Sequence, residues 1–329
     1  METSREDLQL LTRVAWLYYK QGMTQRQIAQ HLQMTRARVI RLLQAARAEG
    51  VVRINIAGPY YNCLELEQDL KEVFGLSDAM VVPVQDGSNE ALVRESLGKA
   101  GAQYLESRLN TGDLLAVGWG RTTYEVARSM QGNGIRALRI VTLQGGLTPS
   151  YYMNPYEVGA KLAEVFQGEC YYIHAPVLAG EEKLAQSFYS DITVRQALEM
   201  IEHAHYSLVS IGKPTTESTL VQMRYLSPAE ITSLCQQGAV GDMLVQFFDI
   251  EGHKVQSELH RRIVAFAIEK LRDMDNVIGV AGGEGKVASI LGALRGGYIK
   301  VLITDESTGF ALLERERANG FPDRETPAM

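Results

Sequence analysis

Residues 276–305 read NVIGVAGGEGKVASILGALRGGYIKVLITD. An apolar run from Val277 to Ala281 breaks into glycines at Gly282, Gly283 and Gly285. A segment of helical length follows, and then a second apolar run that stops at Asp305. Strand, glycine turn, helix and strand in that order describe a parallel pair, because parallel neighbours need a crossover to bring the chain back to the same end of the sheet.

The same grammar extends back to Ala79. AMVVPV (79–84), LLAVGWG (114–120), RIVTLQGG (139–146) and YSLVSIG (206–212) are short apolar runs, separated by amphipathic stretches. With NVIGVAGG and KVLITD they predict an α/β body, a mostly parallel sheet covered on both faces by helices. In such sheets ligands bind at the carboxyl ends of the strands, where glycines let backbone approach and helix N-termini favour anions. Four strands end that way: Gly118-Trp119-Gly120-Arg121-Thr122-Thr123, Gln144-Gly145-Gly146, Ile211-Gly212-Lys213, and Gly282 to Lys286. The first and last each open a helix.

Two nucleotide readings fail. A phosphate-binding P-loop needs glycine at 280 and Ser or Thr at 287, which are Val280 and Val287. A dinucleotide fingerprint needs glycine at 123 and an acid closing the next strand, where Thr123 and Gln144 stand. The glycines therefore point to a small anionic ligand. GAVGD (238–242) adds Asp242, a carboxylate suited to sugar hydroxyls, although an acid there also serves to cap a turn. The aromatic loop TPSYYMNPY (148–156) is a candidate wall.

The amino-terminal end is built differently. Leu10, Leu11, Val14, Leu17 and Tyr18 have helical spacing, and Gly22 stops that helix. Thr24 and Gln27 have the spacing of a capping box opening a second helix. Thr35 is the expected N-cap of a third, in which Val39, Leu42, Leu43 and Ala46 face inward. Two short helices joined by a tight turn, the second rich in arginine, form a helix-turn-helix pattern. Its outward face carries Ala37, Arg41 and Gln44, flanked by Arg36, Arg38 and Ile40. Arginine can pair with guanine, glutamine with adenine, and an apolar group with a thymine methyl. Arg13, Lys20, Arg26, Arg47 and Arg53 are expected at phosphates. The strand VVRINIA (51–57) would form a wing. A packing module with a solvated arginine face is the plainer alternative.

Charge divides the chain at the same place. Residues 1–58 hold nine Lys/Arg against four Asp/Glu, whereas the chain as a whole is −6. A basic head on an acidic body suggests that only the head meets a polyanion. The 329 residues are 46% hydrophobic and 22% charged, with no run long enough to span a bilayer and no signal-peptide core. Three separated cysteines and six scattered histidines imply neither a disulfide framework nor a metal site. A cytoplasmic protein without metal or cofactor is expected. Cys63, Leu66, Leu70 and Val73 repeat at three-then-four spacing, the pattern of a coiled-coil seam, but two heptads are too few and a face packed on the body is expected.

RVAWLYYKQGMTQRQIAQHLQMTRARVIRLL, GWGRTT, VTLQGG, GAVGDMLVQFFD and GVAGGEGKVASILGALRGGYIKVLITDESTG together resemble the SorC family of bacterial sugar-responsive transcriptional regulators, in particular its LsrR-like branch. The resemblance runs from about Leu10 to Leu313. It implies a winged helix-turn-helix joined to a sugar-binding body similar to the phosphosugar isomerase and glucosamine-6-phosphate deaminase fold. It also implies a homotetramer that binds double-stranded operator DNA and answers to a sugar or sugar phosphate. Carried over by motif, the family's ligand-contacting acid falls on Asp242, its lysine on Lys286, and its glycine turn on Gly118, Gly120 and Thr122. Trp119 stands where Phe is common, and Ile40 where Ser is common. The expected domains are 1–58 for DNA, 59–317 for the effector, and a loose tail at 318–329. A phosphosugar isomerase-like enzyme is the rival reading of the body.

Overall fold

The computed structural model describes residues 5–52, 61–83, 89–148 and 153–318. The chain forms two compact units, Met1–Gly58 and Pro59–Met329.

In the first unit α1 (Arg5–Tyr19), α2 (Gln25–His31) and α3 (Arg36–Ala48) surround Val14, Leu17, Ile28, Val39 and Leu43. Gly22, at φ +66°, takes the left-handed conformation that ends α1. Thr24 and Gln27 form the reciprocal capping box, and Thr35 caps α3 through the Arg38 amide. The wing strand falls mostly at 53–57 and lies outside the described residues, as does Arg53.

The second unit runs α4 (Tyr61–Phe74), β1 (Asp78–Val82), α5 (Glu90–Glu106), β2 (Leu114–Val117), α6 (Arg121–Ser129), β3 (Arg139–Thr142), α7 (Pro155–Val165) and β4 (Glu169–Tyr171). It continues with α8 (Glu182–Ser190), α9 (Ile192–Glu202), β5 (Tyr206–Ser210), α10 (Thr219–Gln222), α11 (Pro228–Gln236), β6 (Gly241–Met243) and β7 (Gln246–Phe248). β8 (Val277–Val280), α12 (Val287–Arg295), β9 (Val301–Asp305) and α13 (Glu306–Ala318) complete it. Seven strands form one parallel sheet in the order β1-β9-β8-β5-β2-β3-β4, and β6 pairs antiparallel with β7.

Alternate residues of each strand point to opposite faces. Leu114 and Ala116 join one apolar cluster and Leu115 and Val117 the other, so both faces of β2 are covered. That is why the strands read as apolar runs and not as alternating ones. The six sequence-expected strands are β1, β2, β3, β5, β8 and β9; the edge strand β4 and the β6–β7 hairpin were not foreseen. Cys63, Leu66 and Leu70 of α4 are buried in the body's core, with Val73 packed against it. The seam is thus spent within the body, as packing on the body requires and a coiled coil does not. His203 caps the end of α9, and His205 accepts the Leu114 amide through Nδ1, so this pair serves a helix-to-strand junction.

Candidate functional site

The carboxyl ends of β2, β5, β8 and β9 open onto a cleft of about 990 Å3. Topology places it. From β2 the chain builds outward through β3 and β4, and then returns to lay β5 on the opposite side of β2. Connections leave these two strands in opposite directions, which opens a crevice between their ends.

The turn after β2 closes that crevice from one side. Gly120 has φ +135°, and a Cβ there would stand 2.3 Å from Ser210 Oγ, so only glycine lets the ends of β2 and β5 approach. Ser210 Oγ donates to the Trp119 carbonyl at 2.9 Å, tying the strand ends together. Trp119, Gly120, Arg121 and Thr122 line the cleft. Arg121 donates to Gln222 Oε1 at 2.9 Å, while its Nε is buried without a partner among the described residues. Thr123 does not reach the cleft; its hydroxyl donates to the Trp119 carbonyl at 3.3 Å. Gly118 lies behind the lining, its amide held by the Leu208 carbonyl at 2.9 Å.

Gly212 and Asp242, 30 positions apart, meet directly. The Gly212 amide donates to the Asp242 carbonyl at 2.8 Å, and the Asp242 amide donates back at 3.2 Å. A Cβ on residue 212 would stand 2.0 Å from Asp242 Oδ1, so the glycine makes room for the carboxylate. Asp242 is 8% exposed, and burial pushes its pKa up to about 6 against the opposing pull of Lys286 and the Val245 amide. Lys286 enters from the turn after β8, and its Nζ donates to the Ile211 carbonyl at 3.0 Å. Burial lowers its pKa, and Asp242 partly restores it. An acid and an amine are thereby held in one partly dry cleft, each suited to bonding an oxygen-rich ligand.

Gln144, Gly145 and Gly146 lie outside the cleft lining. The Gly145 amide donates to the Val264 carbonyl and that of Gly146 to the Ala175 carbonyl. A Cβ at 145 would meet the Ala175 carbonyl at 2.3 Å, and one at 146 the Tyr156 ring at 2.6 Å. These glycines accommodate tight backbone packing at the end of β3. Gln144 is fully buried, and both its side-chain polar atoms lack partners among the described residues. Of the loop 148–156, residues 149–152 fall outside the described residues.

Sequence reading missed the far wall, made by Val93 and Arg94 of α5 and Glu306, Ser307 and Phe310 of α13. A mid-helix arginine such as Arg94 carries no local signal of where it points. Asp305 did carry one, since an acid closing a strand ahead of Ser307 and Thr308 is a helix-cap pattern.

In the first unit Thr35, Arg36, Ala37, Arg38, Arg41 and Gln44 are exposed, Ile40 is half-buried, and Arg26 is exposed on α2. Arg36 donates to Gln25, and Arg47 Nε donates to the Tyr19 hydroxyl at 2.8 Å. Val39, Leu43 and Ala46 are buried, so the exposed stripe of α3 is the one the spacing demands.

Comparison with known proteins bears on the body by a family model and on nearly the whole chain by relatives. The family model described as "Putative sugar-binding domain" matches residues 58–314. The deoxyribonucleoside regulator of Bacillus subtilis is 34% identical over 94% of this chain and 98% of its own length. The transcriptional regulator LsrR of Klebsiella pneumoniae is also 34% identical, over 93% of each chain. The crystal structure of the full-length sorbitol operon regulator SorC from Klebsiella pneumoniae superposes with a TM-score of 0.72 at 28% identity, covering 94% of this chain and 99% of that one. The chain belongs to the SorC family of transcriptional regulators, whose body is this sugar-binding domain.

Proposed function

We propose that the chain is a ligand-responsive DNA-binding regulator of a carbohydrate catabolic operon. Residues 1–58 act as a helix-turn-helix on double-stranded operator DNA, and the body through residue 317 binds a sugar or sugar-phosphate effector that modulates that binding. On this reading Arg36, Ala37, Arg38, Ile40, Arg41 and Gln44 address bases, Thr35 seats the helix, and Arg26 and Arg53 meet phosphates. The regulator names of its relatives support the assignment, as does the exposed arginine stripe of α3. A cytoplasmic homotetramer is the form proposed; among the described residues no helix is long and apolar enough to cross a membrane.

The observation that carries the effector half is Asp242, a buried carboxylate facing the cleft in a space that Gly212 leaves open. A carboxylate largely buried at a cleft wall can take hydrogen bonds from sugar hydroxyls, while Lys286, Arg121 and the first turn of α6 with Thr122 suit an anionic group. The test is a thermal-shift panel of sugars and sugar phosphates, followed by operator binding with each compound that stabilises. A ligand at 100 times its Kd should add about 2.7 kcal/mol. A panel without any stabilising compound would sink the effector reading.

The shifted Asp242 and Lys286 also favour one rival, since paired groups with displaced pKa values mark many active sites. An isomerase-like activity predicts turnover of whichever sugar phosphate binds. Ligand recovered chemically unchanged after prolonged incubation leaves the regulator alone standing.

A further inference from the structure

The turn that presents Lys286 is held by a carboxylate outside the proposed ligand contacts. Asp305, the last residue of β9, is fully buried. Its Oδ2 accepts the Gly283 amide at 2.7 Å and the Thr308 hydroxyl at 2.7 Å. Its Oδ1 accepts the Thr308 amide at 2.9 Å and the Ser307 hydroxyl at 2.6 Å. Thr308 Oγ1 accepts the same Gly283 amide at 2.8 Å. One carboxylate thus starts α13 and grips the glycine turn. Gly282 is shaped to this grip, because a Cβ there would stand 2.1 Å from Asp305 Oδ2. The grip reaches Lys286 in one further step: Gly283 sits at φ +96°, and its carbonyl accepts the Lys286 amide at 2.9 Å.

We infer that Asp305, together with Thr308, is a positioning residue of the cleft: it fixes the Gly283 turn and thereby the place from which Lys286 reaches the ligand. Its value for ligand binding rests on the effector reading given above, but the positioning itself does not. The chemistry requires a carboxylate. Each oxygen receives a backbone N–H, from Gly283 on one side and Thr308 on the other. An amide in either orientation sets its own NH2 against one of those donors. Asp305→Asn therefore breaks the grip at constant volume. Thr308→Val removes the hydroxyl that shares the Gly283 amide, and Thr308→Ser keeps it.

The experiment uses the full, ligand-free chain and two readouts, amide hydrogen exchange and the rate of reductive methylation of Lys286. Asp305→Asn and Thr308→Val are expected to speed exchange at Gly283 about tenfold or more and to change Lys286 labelling, while β2 and β5 keep their protection. Thr308→Ser should match the parent. Parental exchange and labelling in both disruptive variants overturn the inference, and so does a uniform loss of protection, which would mark a merely structural residue. If Asp305→Asn does not fold, the Thr308 pair decides. Lys286→Met keeps the ligand question separate. With ribose 5-phosphate as probe, unchanged affinity in that variant removes Lys286 from the effector site and leaves the positioning result intact. A loss of affinity shared non-additively by Lys286→Met and Asp305→Asn joins the two.

Discussion

At the scale of single residues, Asp242 shows the cost of burying a carboxylate in the proposed site. Its pKa of about 6 lies above the ordinary carboxyl value of 3.8, so the folded chain holds a proton there that the unfolded chain has released. Stability therefore falls as pH rises through that window, and the full cost is present above about pH 6. Asp242→Asn removes the cost. We expect it to stabilise the ligand-free protein by roughly 3 kcal/mol at pH 7.5 and by little at pH 4, read as a shift in unfolding midpoint. The same substitution should weaken effector binding, as stability is commonly traded for function at such sites. A midpoint that does not depend on pH in the parent over this window would contradict the assignment. Lys286→Ala should weaken effector binding by roughly 1.5–3 kcal/mol, because the ligand's acceptor loses a charged partner. Operator affinity without ligand should barely change. Calorimetry with the cognate sugar reads the first effect and a DNA titration the second.

At the scale of elements, what could be read from the sequence depended on whether the signal was local. Thr24 and Gln27 carry their own geometry, and the capping box formed as expected. Thr24→Ala should cost about 1 kcal/mol of stability in the first unit, seen as a lower unfolding midpoint for α1 to α3. The sheet was legible for a related reason: strands covered on both faces are apolar through their middle, as β2 and β8 are along their whole length. β4 escaped because three residues at a sheet edge, Glu169 to Tyr171, include an exposed acid and an exposed tyrosine and look like loop. The β6–β7 hairpin escaped because its turn residues, Leu244 and Val245, take φ +53° and +66° where Asn or Gly would be the usual sign. That turn is set by tertiary packing, since both side chains are buried in the body's core. The cleft was half legible. Gly120, Gly212 and Lys286 announced themselves as strand-end punctuation, but nothing local says that β3's glycines pack against Ala175 and Tyr156 while Gly120 after β2 lines the cleft. That distinction is made by strand order, which places β5 beside β2 and leaves β3 toward the edge.

At the scale of the whole molecule, the charge division and the exposed surface bear on how the protein meets DNA. Arg41→Ala should weaken operator binding by roughly 1–3 kcal/mol and relax preference at one base position, whereas Arg26→Ala should weaken all sequences alike and lower the salt slope by about one. Parental binding by both variants across salt concentrations would remove this face of α3 from the interface. The proposed assembly rests on the geometry of operator DNA. One α3 spans few bases, and half-sites about 34 Å apart need at least two copies to be read together. The body offers apolar surface for such contacts: on α8 and α9, Leu184 is 43% exposed and Ile192 56%. The α4 seam is already buried within the body, so the proposed association would use other faces of this kind. We expect light scattering at micromolar concentration to give a mass that is a multiple of 36.5 kDa, with a tetramer as the proposed form. Leu184→Glu with Ile192→Glu should lower that mass if these helices join copies, and should leave the fold intact because both side chains already face solvent. A species of 36.5 kDa alone, both free and on operator DNA, would mean that a single copy reads the operator.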